Sequence, residues 1–148
     1  MNKTHNRFCT MLAAASVIGL LIFGGCSTTA GEGGGGVKVQ LTGDEEVPPV
    51  KTGASGTGSF VISADKSVSG SITTTGVEGT AAHIHDGPAG KNGPVIVPLT
   101  KGANNTWSVA PGAKLTDAQY NSYKAGDLYV NVHSAAHKGG EIRAQLKP

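Results

Sequence analysis

From residue 37 onward, apolar residues tend to fall at every second position. Val37, Val39 and Leu41 alternate with Lys38 and Gln40, and Phe60 and Ile62 alternate with Ser59 and Val61. Residues 67–75 are rich in Ser, Thr, Val and Ile, with Gly70 among them. Ala82 and Ile84 alternate with His83 and His85; residues 95–99 form an apolar run broken by Pro98. Trp107 and Val109, then Leu128, Val130 and Val132, then Ile142, Ala144 and Leu146 complete the series. A period of two places successive side chains on opposite faces of a strand. Gly, Pro, Asn or Asp separates the runs at hairpin-like intervals. Seven or eight short strands therefore predict an all-β domain, an immunoglobulin-like β-sandwich or a small barrel.

One segment breaks the pattern. Residues 115–126, from Leu115 to Gly126, read as one short helix. Thr116 is placed to cap it, with Gln119 three residues on as a capping box requires. Leu115 and Tyr120 form the staple pair, and Gly126 suits the left-handed end.

The start of the chain has a different character. Lys3 and Arg7 precede an apolar stretch of 13 residues, 11–23. This fits a secretory signal and falls short of the roughly 20 residues of a membrane-spanning helix. The stretch ends in Phe23-Gly24-Gly25-Cys26, which resembles a bacterial lipoprotein signal. The resemblance implies that residues 1–25 are removed and that Cys26 carries lipid as the new N-terminus. Ser27, rather than Asp, after that cysteine favours an outer-membrane destination. Residues 26–36 then form a Gly-rich tether of roughly 17 Å reach, and the domain occupies 37–148.

Removal of the signal changes the charge. The whole chain carries 12 basic and 10 acidic residues, and two of the basic ones are Lys3 and Arg7. The mature chain is formally neutral, which argues against nucleic acid as a partner. Cys9 leaves with the signal and Cys26 is lipidated, so no disulfide is expected within the domain.

The four remaining histidines fall in two clusters, His83 with His85 and His133 with His137. His83 and His85 share one face of their strand. Tyr129, Asn131 and His133 share the face opposite Leu128, Val130 and Val132. Glu141 and Arg143 lie opposite Ile142 and Ala144. If these strands are neighbours, the polar faces gather into one cluster. One reading is a copper or zinc site on His83, His85 and His133, with His137 or Asp86 as a fourth ligand. The other is a hydrogen-bond network holding loops to strands, with a Glu141–Arg143 ion pair that contributes little alone.

Catalytic patterns are sparse. There is no G-x-S-x-G and no cysteine nucleophile in the mature chain. Residues 53–58 are Gly-rich without a phosphate-loop lysine, and read as a hairpin or strand edge. Asp44, Glu45 and Glu46 read as a solvated turn, and Trp107 as a core anchor. A copper redox enzyme would need an open coordination position and a substrate route. No enzymatic activity is expected.

Several motifs carry a family resemblance. Glu45-Glu46-Val47-Pro48-Pro49, Ala82-His83-Ile84-His85-Asp86-Gly87-Pro88-Ala89-Gly90 and Gly93-Pro94-Val95-Ile96-Val97-Pro98-Leu99 resemble the CHRD domain of chordin and of bacterial secreted proteins. So do Gly126-Asp127-Leu128-Tyr129-Val130-Asn131-Val132-His133-Ser134 and Gly140-Glu141-Ile142-Arg143-Ala144-Gln145-Leu146. The resemblance covers 37–147 and implies an all-β immunoglobulin-like sandwich or barrel without catalytic residues. His137 stands where Asn is more familiar. A fainter likeness to Cu/Zn superoxide dismutase rests on His83-Ile84-His85 and Gly139-Gly140-Glu141-Ile142-Arg143, without its zinc ligands or disulfide. The expectation is a lipid-anchored cell-envelope protein acting as a non-catalytic binding or structural module. Its protein or glycan partner is unspecified, and copper or zinc binding is the alternative.

Overall fold

The computed structural model describes residues 36–148. The expected signal, the expected lipidation site at Cys26 and nearly all of the tether lie outside the described residues. Eight strands form a closed antiparallel barrel: β1 (Val37–Thr42), β2 (Ser55–Ile62), β3 (Val68–Thr75), β4 (Gly79–Asp86), β5 (Val95–Lys101), β6 (Thr106–Val109), β7 (Leu128–Ser134) and β8 (Ile142–Leu146). Their order around the wall is β1-β2-β3-β6-β5-β4-β7-β8. Of the two architectures expected, the barrel is the one formed. It closes through one residue pair between β1 and β8, Thr42 with Arg143.

The alternation defines the interior. Ile84 lies opposite Val97 on one side and Val130 on the other, and Val130 lies opposite Ala144. These four residues form one band along the inner wall, with Ile84 and Val130 fully buried. Leu41, Phe60, Ile72, Trp107 and Leu146 are among the other large residues of the core. Hydrophobic burial of this kind contributes about 25 cal/mol per Å2 of apolar surface, and it supplies the main stabilisation in a domain without a disulfide.

Helix α1 (Asp117–Ala125) forms as its caps dictate. Thr116 Oγ1 accepts from the Gln119 amide at 3.2 Å, and the Thr116 amide donates to Gln119 Oε1 at 2.8 Å. Gly126 takes the left-handed conformation at φ 79°. The Lys66 ammonium pairs with the Asp117 carboxylate in the first helical turn.

Three local expectations are corrected. Ser55–Gly58 of the Gly-rich segment are no hairpin tip or edge, because there β2 pairs with both β1 and β3; Gly53 and Ala54 precede the strand. Gly58 lies where a Cβ would strike Ser71 and Ile72 of the neighbouring strand, so close packing explains it. Pro98 does not break β5. At Pro98 that strand pairs with β4 alone, since β6 joins only from Leu99 onward. The missing N–H is tolerated where one side has no ladder. Glu46 is not solvated: it is 3% exposed, beside a 3-10 turn over Gly43–Glu45.

A candidate metal centre on the outer wall

The histidines of β4 and β7 meet because those strands are neighbours. In their register His83 lies opposite Asn131, His85 opposite Tyr129, and Ala81 opposite His133. His133 is thus diagonal to His83, a separation of about 7–8 Å between backbones that long side chains cross. Ile84, Val130 and Val132 point into the core, so His83, His85, Tyr129, Asn131 and His133 all project outward. This outer face is covered. Tyr129 and Asn131 are 2% and 1% exposed, and Arg143 on β8 is 1% exposed.

The cover is held by the polar residues themselves. Arg143 donates to the carbonyls of Lys91 at 2.9 Å and Pro88 at 3.4 Å, to Asn92 Oδ1 at 3.3 Å and to Gln145 Oε1 at 3.3 Å. Gln145 Nε2 donates to the carbonyls of Gly87 and Gly126, both at 2.9 Å. The Gly93 amide donates to the Tyr129 hydroxyl at 3.2 Å. Asn92 Nδ2 ties the loop to the Val47 carbonyl at 2.8 Å. The Arg143 guanidinium lies 3.4 Å over the Tyr129 ring, which in turn stacks on His85 at 4.7 Å and 8°. Guanidinium, phenol and imidazole form one column.

One ring nitrogen from each of His83, His85 and His133 lies within 4.8 Å of the other two. Two of the three rings are oriented by backbone. His85 Nδ1 is 2.9 Å from the Gly93 carbonyl, and His133 Nδ1 is 2.9 Å from the Lys138 carbonyl. A carbonyl only accepts, so both Nδ1 atoms carry the proton and both Nε2 atoms present a lone pair. Such second contacts are typical of metal-binding imidazoles. His85 Nε2 is buried and has no hydrogen-bond partner. His83 Nδ1 and His133 Nε2 are 3.1 Å apart. In the metal-free protein His83 donates that proton to the bare His133 Nε2. The same spacing is close to the ~3.3 Å between two nitrogens bonded at 2.0–2.1 Å and tetrahedral angles to one ion. For His83 Nδ1 to serve as a ligand, its proton would have to move to Nε2, and the three nitrogens, now within 4.8 Å of one another, would have to draw together.

The other sequence candidates lie apart. The His137 ring is not in the triad; its backbone amide donates to Ser134 Oγ at 3.1 Å. Asp86 Oδ2 instead accepts from Ser122 Oγ at 3.3 Å. The expected Glu141–Arg143 pair does not form. Glu141 Oε1 accepts from Thr52 Oγ1 at 2.8 Å, while Arg143 faces the carbonyls described above. Glu141 precedes β8, so strand parity does not govern its direction. Glu46, Tyr129 and Gln145 gain roles that sequence reasoning did not assign. The parity of Tyr129 placed it on the histidine face, but no pattern signalled the inward turn of Glu46.

Burial pushes the His83 imidazole below its ordinary pKa, and the neighbouring His133 and His85 add to that effect. Burial also lowers His85, against the opposing hydrogen bond to Gly93. Both rings stay neutral, and able to bind metal, at lower pH than free histidine. A depressed basic group means that the unfolded chain binds more protons, so stability rises with pH. For these rings the loss begins as pH falls below the unfolded value of about 6.5 and continues through the lower folded value. Burial raises the Glu46 carboxyl, which acts in the opposite sense at a lower window. We expect the metal-free melting temperature to fall between pH 7 and 5, and to fall less in His83→Gln; equal slopes in thermal melts would refute this assignment.

Glu46 and Asn131 approach closely over Gly140. At φ 131° that residue occupies a region that L side chains rarely adopt, and a Cβ there would run into the Glu46 carboxyl and the Asn131 amide. The strand-borne histidines, the glycines that permit close cover and the arginine beneath the loop all belong to one continuous domain. Curated proteins and solved structures yield no match to this chain. The family model of the CHRD domain matches residues 37–146, which is the barrel from β1 to β8, and the chain belongs to the CHRD domain family.

Proposed function

We propose that this CHRD domain is a non-catalytic binding module whose ligand is a copper or zinc ion, held by His83, His85 and His133. The observation that carries the reading is the convergence of three imidazole nitrogens within 4.8 Å, with His85 Nε2 buried and unpartnered. A buried polar atom without a partner calls for an unseen water or ion. Imidazole is a good ligand for both metals. His85 Nε2 differs from the Nδ1 atoms of His85 and His133, which backbone carbonyls satisfy.

The test is calorimetric titration of the purified full-length protein in detergent with Cu(II) and Zn(II). We expect saturation at one ion per chain, unchanged in His137→Ala. Absence of stoichiometric binding to either ion would leave the histidines as loop anchors.

In this reading the domain is tethered at the cell envelope through lipid on Cys26, facing the periplasm or the outer surface. The Cys26→Ser variant is expected to move from the membrane pellet to the soluble fraction. Continued sedimentation with membranes would argue against the lipid anchor.

A further inference from the structure

We propose that the three-histidine site is built for copper(I), which it holds more tightly than copper(II) or zinc(II). This rests on the metal reading above and concerns which ion the site selects.

The argument is one of charge. The three ligand nitrogens are neutral, and among the described residues the cluster includes no carboxylate or thiolate. The two nearby acids that could have joined are engaged elsewhere, Asp86 with Ser122 and Glu141 with Thr52. Behind His85 stands a fixed cation. Arg143 is 1% exposed, and its guanidinium bonds only neutral acceptors. Among the described residues no carboxylate forms an ion pair with it. It sits 3.4 Å over Tyr129, whose ring lies 4.7 Å from that of His85. The wall therefore places a buried positive charge with no ion-pair partner near the ion, and no carboxylate among the ion's ligands. The fields of Glu46 and the exposed Glu45 reach Arg143 without pairing with it, and burial raises the Glu46 carboxyl above its ordinary pKa.

An ion of charge two meets this field twice as strongly as an ion of charge one. At a separation of about 10 Å and an effective dielectric near 20, that difference is on the order of tenfold in binding. Coordination number acts in the same direction. Zinc in structural protein sites is almost always four-coordinate, and only three protein ligands converge. Filled-shell copper(I) accepts three nitrogens in a plane. The preference does not come from sulfur, the usual soft ligand for copper(I), because the cluster contains none.

The experiment uses full-length protein in detergent, without oxygen. Copper(I) affinity is read by competition with a chromogenic copper(I) chelator, and copper(II) and zinc(II) by their own competing chelators. Two variants alter the charge. Asn131→Asp puts a carboxylate beside His85 and Glu46. Asn92→Asp gives Arg143 an anionic partner at an exposed position, and so keeps the test valid if the buried variant fails to fold. We expect copper(I) to bind tightest in the wild type. The margin should shrink on the order of tenfold in Asn131→Asp and by a smaller factor in Asn92→Asp. For a one-electron couple a tenfold change is 59 mV, read as a lower reduction potential of the copper-loaded variant. Copper(II) or zinc(II) bound as tightly as copper(I) would overturn the selectivity and leave the metal site standing. An unchanged margin in every folded variant would overturn the charge argument. No binding of any of the three ions would remove the site itself.

Discussion

The Val130→Asp variant is expected to lose cooperative folding altogether. Val130 is 0% exposed at the middle of β7, between Ile84 and Ala144 on the flanking strands. A carboxylate there has no donor on the inner face, where its neighbours are aliphatic. Burying an unpaired charge belongs to the short list of changes that cost more than about 4–5 kcal/mol. A domain of this size has roughly 5–15 kcal/mol in total, and no disulfide within the barrel restrains the unfolded chain. Near-UV circular dichroism should be featureless, and the thermal transition broad or absent. A sharp transition at the wild-type temperature would mean that the inner and outer faces of β7 are assigned the wrong way round.

The His85→Ala variant is expected to keep its fold and lose metal. The ring projects from the outer wall, so its removal leaves the band of Ile84, Val97, Val130 and Ala144 intact. It removes the one ligand that is both buried and pre-aimed, its Nδ1 fixed by Gly93 at 2.9 Å and its ring stacked on Tyr129. Loss of an outer-shell partner alone typically lowers metal affinity 10–100-fold, and loss of a ligand from a set of three should exceed that range. Titration should therefore show a fall of more than about 100-fold, with the metal-free melting temperature within a few degrees of wild type. An unchanged affinity would place the ion, if one binds, on other residues.

The two substitutions lie on opposite faces of the same sheet, and the difference in outcome shows how the domain is arranged. The core holds the strands in register, and the register places the histidines. Around them the loop 87–94 acts as a lid sewn down by Arg143, Gln145 and Tyr129. A site of this kind is oriented by backbone carbonyls rather than by carboxylates. That accounts both for the fixed tautomers of His85 and His133 and for the absence of a carboxylate from the cluster.

Much of this was legible in the residues taken one strand at a time. Every alternating run became a strand, and the capping box at Thr116 and Gln119 formed as its spacing required. Parity on β4 and β7 correctly separated His83, His85 and His133 from Ile84, Val130 and Val132. Local rules reach this far because a period of two and a cap are properties of a few consecutive residues. They failed where contact with another strand decided the outcome. Gly56 and Gly58 look like loop residues until β1 and β3 are seen to pack on both sides. Glu46 looks solvated until Gly140 and Asn131 are found above it. Glu141 and Arg143 share parity, yet Glu141 lies before its strand begins and turns to Thr52.

The sequence by itself determined the all-β class, the strands, the helix and its ends, and which side chains share a face. Those follow from sterics and from the separation of apolar and polar positions along the chain. Only the tertiary structure decided that the sheet closes into a barrel, and that β4 lies beside β7. Pairing of strands nearly fifty residues apart depends on the register and packing of the whole sheet, which no local pattern encodes. It alone brings His133 to His83 and His85, and it alone buries Arg143 behind them without a direct ion pair.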